Sequence, residues 1–205
     1  NTSLLTCQNS TLIDNSNNAF AITSVGQAQP IAQSPFTQVT TALDTTYLGS
    51  GYFDGTGDYL SIPANAALNF GTGDFTIEAW VYPNSLAADW FITASTGTGG
   101  LFFGYRQGGA PQGFGWGRTG VAWDYQIASG TVNTWQHVAL TRSGTSMRLF
   151  VNGTQVGTTQ TLATSYDLSL TSTTIGSQGG SYYLNGFIAL ISVKFFLYWS
   201  TISLR

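Results

Sequence analysis

The stretch from Gly51 to Pro83, GYFDGTGDYLSIPANAALNFGTGDFTIEAWVYP, constrains the fold more than any other part of the chain. Tyr52-Phe53 closes one strand. Asp54-Gly55-Thr56-Gly57 turns it back, because Asp-Gly supplies the positive φ angles that a tight turn needs. Asp58 to Ile62 then alternates, with Leu60 and Ile62 on one face, and Pro63 ends the strand because it cannot donate to a ladder. Gly71-Thr72-Gly73-Asp74 is a second turn. Beyond it Phe75, Ile77, Ala79 and Val81 share one face, while Thr76, Glu78, Trp80 and Tyr82 share the other. The second face mixes polar and aromatic side chains, which predicts a central strand with protein on both sides.

The rest of the chain repeats this grammar. A short strand is expected at Ser3 to Cys7, and others at Tyr47 to Phe53, Trp90 to Ala94 and Leu101 to Arg106. Gly113-Phe114-Gly115-Trp116-Gly117 puts two aromatics on one face and bare backbone on the other, and Val121, Trp123 and Tyr125 are expected to share a face in the same way. Trp135 to Arg142 and Met147 to Val151 form a hairpin across Ser143-Gly144-Thr145, and Asn152-Gly153 is the best hairpin turn in the chain. No segment sustains a 3.6-residue period, so little or no helix is expected beyond a turn near Ala64 to Leu68. At 205 residues the simplest count is one domain, 1–205, an all-β antiparallel sandwich.

FDGTGDYLSIP, FTIEAWVYP, WQHVALTRSGTSMRLFVNGTQVG (Trp135 to Gly157) and the IG…YYLNGFI pattern (Ile175 to Ile188) together resemble the LamG-like jelly roll of the concanavalin A-like lectin and glucanase superfamily. That resemblance covers the chain from about Leu4 to Phe187 and implies a jelly-roll sandwich. It does not imply one activity, because this fold hosts lectins, enzymes and inert spacers alike. TSLLTCQ and Ser34-Pro35-Phe36 are similar to LamG-like domains of tailed-phage and environmental bacterial extracellular proteins, which implies an extracellular or virion-surface setting. The chain departs from the pattern after Ile188. An acidic residue is usual there, but Ala189-Leu190-Ile191 follows, then Lys194-Phe195-Phe196-Leu197-Tyr198-Trp199. Such an apolar edge invites pairing. Phe195, Phe196, Leu197, Tyr198 and Trp199 are therefore candidate assembly residues, and 189–205 is folded into the domain, donated to a neighbour as an inter-subunit strand, or shifted in sequence at its end.

Charged residues make up 7% of the chain, against about 25% in an average domain. Hydroxyls and amides, attached glycans, or burial in an assembly must replace that charge at the surface. Net charge is -3, so no basic face exists for nucleic acid. No run of 18 apolar residues is present to insert in a membrane. Cys7 is the only cysteine, which removes any intramolecular disulfide or Cys-based zinc site and leaves a small buried hydrophobe. The chain starts at Asn1 without Met or signal peptide, as a processed or partial chain does.

Catalysis is not expected. Retaining glycoside hydrolysis needs two neighbouring carboxyl groups, and the sole glutamate, Glu78, has only Asp74 four residues away, which opens the strand at a turn. His137 is the sole histidine and no G-x-S-x-G elbow accompanies it. LamG-like relatives often bind Ca²⁺ through Asp, Asn and carbonyl oxygens at the sheet rim. The matching candidates are Asp14 and Asn18 in the first loop and Asp54 and Asp58 in FDGTGD, which as turn formers also have a purely local role. Sugar rings stack on exposed aromatics. Trp90, Tyr105, Trp116, Trp123, Tyr125, Tyr182 and Tyr183 are the available rings. Tyr105 with Arg106 and Trp123 with Asp124 lie nearest to Gly-rich turns and are the expected glycan-binding pairs. Asn1, Asn9 and Asn152 head N-glycosylation sequons. Two readings result: a non-enzymatic structural and adhesive subunit that self-associates in an extracellular filament or virion appendage, or a monomeric carbohydrate-binding module, with Ca²⁺ as its one expected cofactor.

Overall fold

The computed structural model of the chain describes residues 2–8, 11–35, 49–127 and 129–196, with Phe195 and Phe196 described by backbone alone. The strands in chain order are β1 (Thr2–Thr6), β2 (Thr23–Val25), β3 (Gln29–Ile31), β4 (Ser50–Asp54), β5 (Tyr59–Pro63), β6 (Asn69–Gly71), β7 (Asp74–Pro83), β8 (Trp90–Ser95) and β9 (Leu101–Arg106). They continue with β10 (Gly113–Arg118), β11 (Ala122–Gln126), β12 (Gln136–Ser143), β13 (Ser146–Val151), β14 (Thr154–Thr161), β15 (Tyr166–Asp167), β16 (Ser172–Ile175) and β17 (Asn185–Phe196). A 3₁₀ turn, Ala66–Leu68, lies within the predicted Ala64 to Leu68 turn, with the Asn65 side chain accepting from Ala67 N–H at 3.0 Å.

Two large antiparallel sheets pack face to face. An eight-stranded sheet runs β14-β13-β12-β7-β17-β4-β3, with β1 also paired to β17; a seven-stranded sheet runs β11-β10-β9-β8-β16-β5-β2. Between them lies one apolar core. The alternation predicted for β7 holds: Phe75, Ile77, Ala79 and Val81 are fully buried against the other sheet. The strand is central, between β12 and β17. Its other face differs from the expectation. Thr76, Glu78, Trp80 and Tyr82 are only half-buried, and among the described residues no further sheet covers that face.

The C-terminal segment corrects a second expectation. Residues 189–196 are not an unpaired edge. β17 is itself central: it pairs with β7 along its length, with β4 from Asn185 to Ile188, and with β1 from Ile191 to Lys194. Ala189, Ile191 and Val193 are buried in the chain's own core. The apolar pattern is therefore that of a strand covered by its own fold. Phe195 and Phe196 pair through their backbones with Phe75 and Asp74, while the other assembly candidates, Leu197, Tyr198 and Trp199, lie outside the described residues. Cys7 is buried as expected, and burial pushes its thiol up to about 12.

Candidate functional site

Consecutive residues of a strand point to opposite faces, so the runs Trp90-Phe91-Ile92 and Leu101-Phe102-Phe103 cannot place every side chain in one core. Trp90, Ile92, Leu101 and Phe103 join the core between the sheets. Phe91, Ala94 and Phe102 form a separate cluster on the solvent face of the seven-stranded sheet, and Trp123 packs against it. A β-bulge brings Trp123 there. The β10–β11 register slips between Trp116↔Tyr125 and Gly117↔Trp123, which makes Asp124 the extra residue. Trp123 and Tyr125 therefore face opposite ways, against the expectation that they share a face: Tyr125 lies on the core ring of Trp116, centroids 4.9 Å apart.

The resulting cleft holds about 220 Å³ and has an aromatic floor and walls. Trp123 stacks on Phe91 with centroids 5.6 Å apart and meets Phe102 edge-on at 4.7 Å. Tyr182, 55% exposed, stands edge-on to Phe91 at 6.0 Å. Gln178 and Ser181 exchange two backbone hydrogen bonds at the turn that presents it. Asp89, Arg118 and Gln178 add polar groups to the lining. Their charges are already engaged. Arg118 donates from Nε and Nη2 to the two oxygens of Asp124, at 3.0 and 2.8 Å. That bond holds the guanidinium above its ordinary value. Asp89 accepts from the backbone N–H groups of Gln107 and Gly108.

Of the four predicted glycan residues, the structure brings Trp123 to this cleft and Arg106 beside it. The Arg106 guanidinium sits 5.7 Å from the Trp123 ring centre and donates to Gln126 Oε1 at 2.8 Å. Tyr105 is a correction. It is 4% exposed, stacked on Trp90 with centroids 5.6 Å apart, because its neighbours Gly104 and Arg106 take the outer positions. Burial, with Asp89 nearby, raises its phenol. Asp124 is also corrected. Its carboxylate is enclosed by Arg118 and by the Tyr166 hydroxyl, which donates to it at 3.0 Å, so it positions Arg118 instead of meeting solvent. Trp90 and Trp116 belong to the core. Sequence reasoning missed Phe91, Phe102, Asp89, Arg118 and Gln178. The double apolar runs were the available signal for the two phenylalanines; nothing marked the polar three.

The candidate metal ligands act as loop ties. Asp14 accepts from Leu5, Ser16 and Phe20 N–H, each at 2.9 Å, and from the Ser16 hydroxyl at 2.8 Å. Asn18 donates its side-chain amide to Ser3 O at 2.8 Å. Asp58 is fully buried and accepts from Gln27 and Asp54 N–H, while Asp54 accepts from Thr56 N–H at 2.6 Å. Among the described residues no three Asp, Glu, His or Cys side chains gather in a cluster that could hold a metal ion. Of the sequon asparagines, Asn152 is exposed at its predicted turn, with its side-chain oxygen accepting from His137 N–H at 2.9 Å. Asn1 and Asn9 lie outside the described residues.

Residues 54–194 match the family model of laminin G-type domains in the concanavalin A-like lectin/glucanases superfamily. The chain belongs to this superfamily. Solved jelly rolls resemble this LamG-like domain over nearly its whole length. Domain 4 of AbnA, a GH43 extracellular arabinanase from Geobacillus stearothermophilus, in complex with arabinotriose, superposes with a TM-score of 0.67 at 12% identity, over 94% of this chain and 91% of that one. The binding domain of Paraclostridial Mosquitocidal Protein 1 superposes at 0.64 and 15% identity, over 94% of this chain and 48% of that one. The botulinum neurotoxin serotype D ligand binding domain in complex with N-acetylneuraminic acid superposes at 0.58 and 16% identity, over 93% and 46%. The LamG-like chain thus spans about half the length of these two toxin domains, and at such identities the likeness is one of fold. No curated protein matches the chain.

Proposed function

We propose that this LamG-like domain is a non-catalytic carbohydrate-binding module, and that the cleft around Trp123 and Tyr182 holds a neutral sugar. The observation that carries this reading is the aromatic cluster on the solvent face of the seven-stranded sheet, separated from the core by the sheet itself. Phe91 and Phe102 are themselves buried beneath Trp123, so the rings that this second cluster leaves open to a ligand are Trp123 and Tyr182, and apolar rings held at the surface outside the main core mark a binding surface. The cleft is smaller than the ~300–1,000 Å³ of drug-sized ligand sites, which suits a single sugar ring lying on Tyr182 and the edge of Trp123. With Arg118 paired to Asp124 and Asp89 an anion held only by backbone N–H groups, the lining has, among the described residues, no free cation to receive a carboxylate, which favours a neutral saccharide over a sialic acid. The arabinotriose bound by the arabinanase domain is a sugar of that class.

Hydrolysis does not fit the geometry. Glu78 lies on the outer face of the other sheet, and the groups bonded to it are His137 and Lys194, two bases instead of a second acid. The assembly reading loses residues 189–196 as its joint, since they complete the chain's own sheet. An extracellular setting, where polysaccharide is met, suits the reading.

The test is calorimetric titration of the intact chain with arabinotriose, xylotriose, cellotriose and N-acetylneuraminic acid. Binding of a neutral trisaccharide, reduced at least tenfold by Trp123→Ala or Tyr182→Ala with unchanged circular dichroism, is the expected result. Undiminished binding in both variants would remove the site from this cleft.

A further inference from the structure

The solvent face of the eight-stranded sheet carries a second row of rings. Phe187 on β17 is the Cα partner of Tyr52 on β4 and of Tyr82 on β7, so the sheet register lines the three rings up across adjacent strands. Centroids are 5.1 Å apart for Tyr52–Phe187 and 5.7 Å for Tyr82–Phe187, and Trp135 extends the row at 5.5 Å from Tyr82. None of these rings belongs to the core between the sheets, and Phe187, 9% exposed, is packed among Tyr52, Tyr82 and Trp135, so Tyr52 and Tyr82 are the accessible rings beside it. Each neighbour in sequence that faces inward, Phe53, Val81 and Ile188, is fully buried, so core packing does not require the outer rings.

The rim of this row is built from amides. Gln29, Gln33 and Asn84 line a depression of about 480 Å³ with Ile31, Tyr52, Tyr82 and Phe187, and among the described residues no charged side chain joins them. Asn84 Nδ2 donates to Asn185 Oδ1 at 3.0 Å, and Asn84 N–H donates to Asn185 O at 2.8 Å, so two bonds fix this amide pair. Among the described residues the Asn84 Oδ1 acceptor, the Asn185 Nδ2 donor and the Gln29 and Gln33 side-chain amides make no hydrogen bond. Each amide offers both a donor and an acceptor. Apolar ring faces beside paired donors and acceptors, without charge, match a saccharide: its C–H faces stack on rings and its hydroxyls both give and take hydrogen bonds.

We infer that this face, at Tyr52, Tyr82 and Phe187, is a second saccharide-binding site for neutral glycans, on the opposite side of the sandwich from the Trp123 cleft. The site stands on its own residues. Its consequence, that one domain holds two glycan strands at once and cross-links them, rests on the reading of the first cleft.

The experiment titrates the intact chain with arabinotriose, xylotriose and cellotriose in four forms: wild type, Trp123→Ala/Tyr182→Ala, Tyr52→Ala/Tyr82→Ala, and all four substitutions together. Two saccharides per wild-type chain, one in each double variant and none in the quadruple variant are expected, and only the wild type precipitates soluble branched arabinan. Gln29→Ala and Asn84→Ala, on the exposed rim, are expected to weaken the second site several-fold and test it even if the ring variants unfold. One saccharide per wild-type chain, lost with Trp123→Ala/Tyr182→Ala alone, overturns the second site and leaves the first. Binding lost with Tyr52→Ala/Tyr82→Ala alone overturns the first and leaves the second. A wild type that binds none of the three saccharides overturns both, and a dimer that Tyr52→Ala/Tyr82→Ala dissociates would show the row to be a self-contact.

Discussion

Trp123 on β11 stacks on Phe91 of β8, although β10 and β9 lie between those strands in the sheet. Two features let the rings meet. The bulge at Asp124 turns Trp123 outward, and Gly117 of β10 leaves bare backbone beneath the Phe102 ring. A Cβ at Gly117 would stand 2.5 Å from Phe102 Cζ and 2.2 Å from Ala122 O, the second a backbone atom that cannot rotate away. Gly117→Ala is therefore expected to cost about 1–3 kcal/mol, as overpacking does, and to break the aromatic floor. Denaturant midpoints and Trp fluorescence check this; an unchanged midpoint would refute the close approach.

Asp124 anchors a chain of polar groups behind the cleft. Trp116 donates its indole N–H to the Tyr166 hydroxyl at 3.2 Å, Tyr166 donates to Asp124, and Asp124 accepts both prongs of Arg118. Burial and the Asp124 carboxylate raise the Tyr166 phenol well above its ordinary value. Asp124→Ala leaves the partly solvated Arg118 guanidinium and the Tyr166 O–H donor without their acceptor and is expected to destabilise by about 1–3 kcal/mol. Tyr166→Phe, which leaves the Trp116 N–H without its acceptor, costs about 1–2 kcal/mol. Urea unfolding measures both, and a loss under about 0.5 kcal/mol for Asp124→Ala would show that the network does not stabilise the fold.

Acid should destabilise the domain through Glu78. The His137 imidazole 3.5 Å away, then the Lys194 ammonium at 2.7 Å, hold this carboxyl down from 4.5 to about 2 against the opposing effect of burial. A carboxyl with a depressed folded value contributes its stability above the unfolded value of 4.5 and loses it as pH falls toward 2. The pair is partly solvated, so on the order of 1–2 kcal/mol disappears across that window. Glu78→Gln should flatten the acid limb. Equal acid loss in the wild type and in Glu78→Gln, from urea midpoints at several pH values, would place the acid sensitivity elsewhere.

Cys7 should resist thiol reagents in the native state, because it is fully buried and its thiol is raised to about 12. Ellman titration is expected to find no reactive thiol in buffer and one in guanidinium. Prompt native reaction would mean that β1 peels from β17, since Leu190 N–H donates to Cys7 O across that contact at 2.8 Å.

The intact chain should scatter light as a 21.8 kDa monomer. Val193→Asp is expected to abolish folding, because it puts a charge at a fully buried position of β17. A large particle whose subunits survive Val193→Asp would restore the C-terminal segment as an assembly joint.

Much of the fold is legible without coordinates. The DGTG and Asn152-Gly153 turns, the alternation along β7 and the lack of helical period dictate an all-β sandwich, because turn chemistry and side-chain period are local properties. The site is legible only in part. Trp123 stands out, but Tyr105 looks equally exposed in sequence and is in fact core, since a period of two separates two faces without saying which is covered.

What the sequence by itself determined is which residues share a strand and which side chains alternate. Tertiary structure decided which alternating faces are covered, that one extra residue at Asp124 sends Trp123 and Tyr125 to opposite faces, and that the apolar run 189–196 finds its partners in β7 and β1 of the same chain. The physical reason is the range of the interaction: β-pairing joins Thr2 to Lys194 and Phe75 to Phe195, and no local pattern records a partner so distant in sequence.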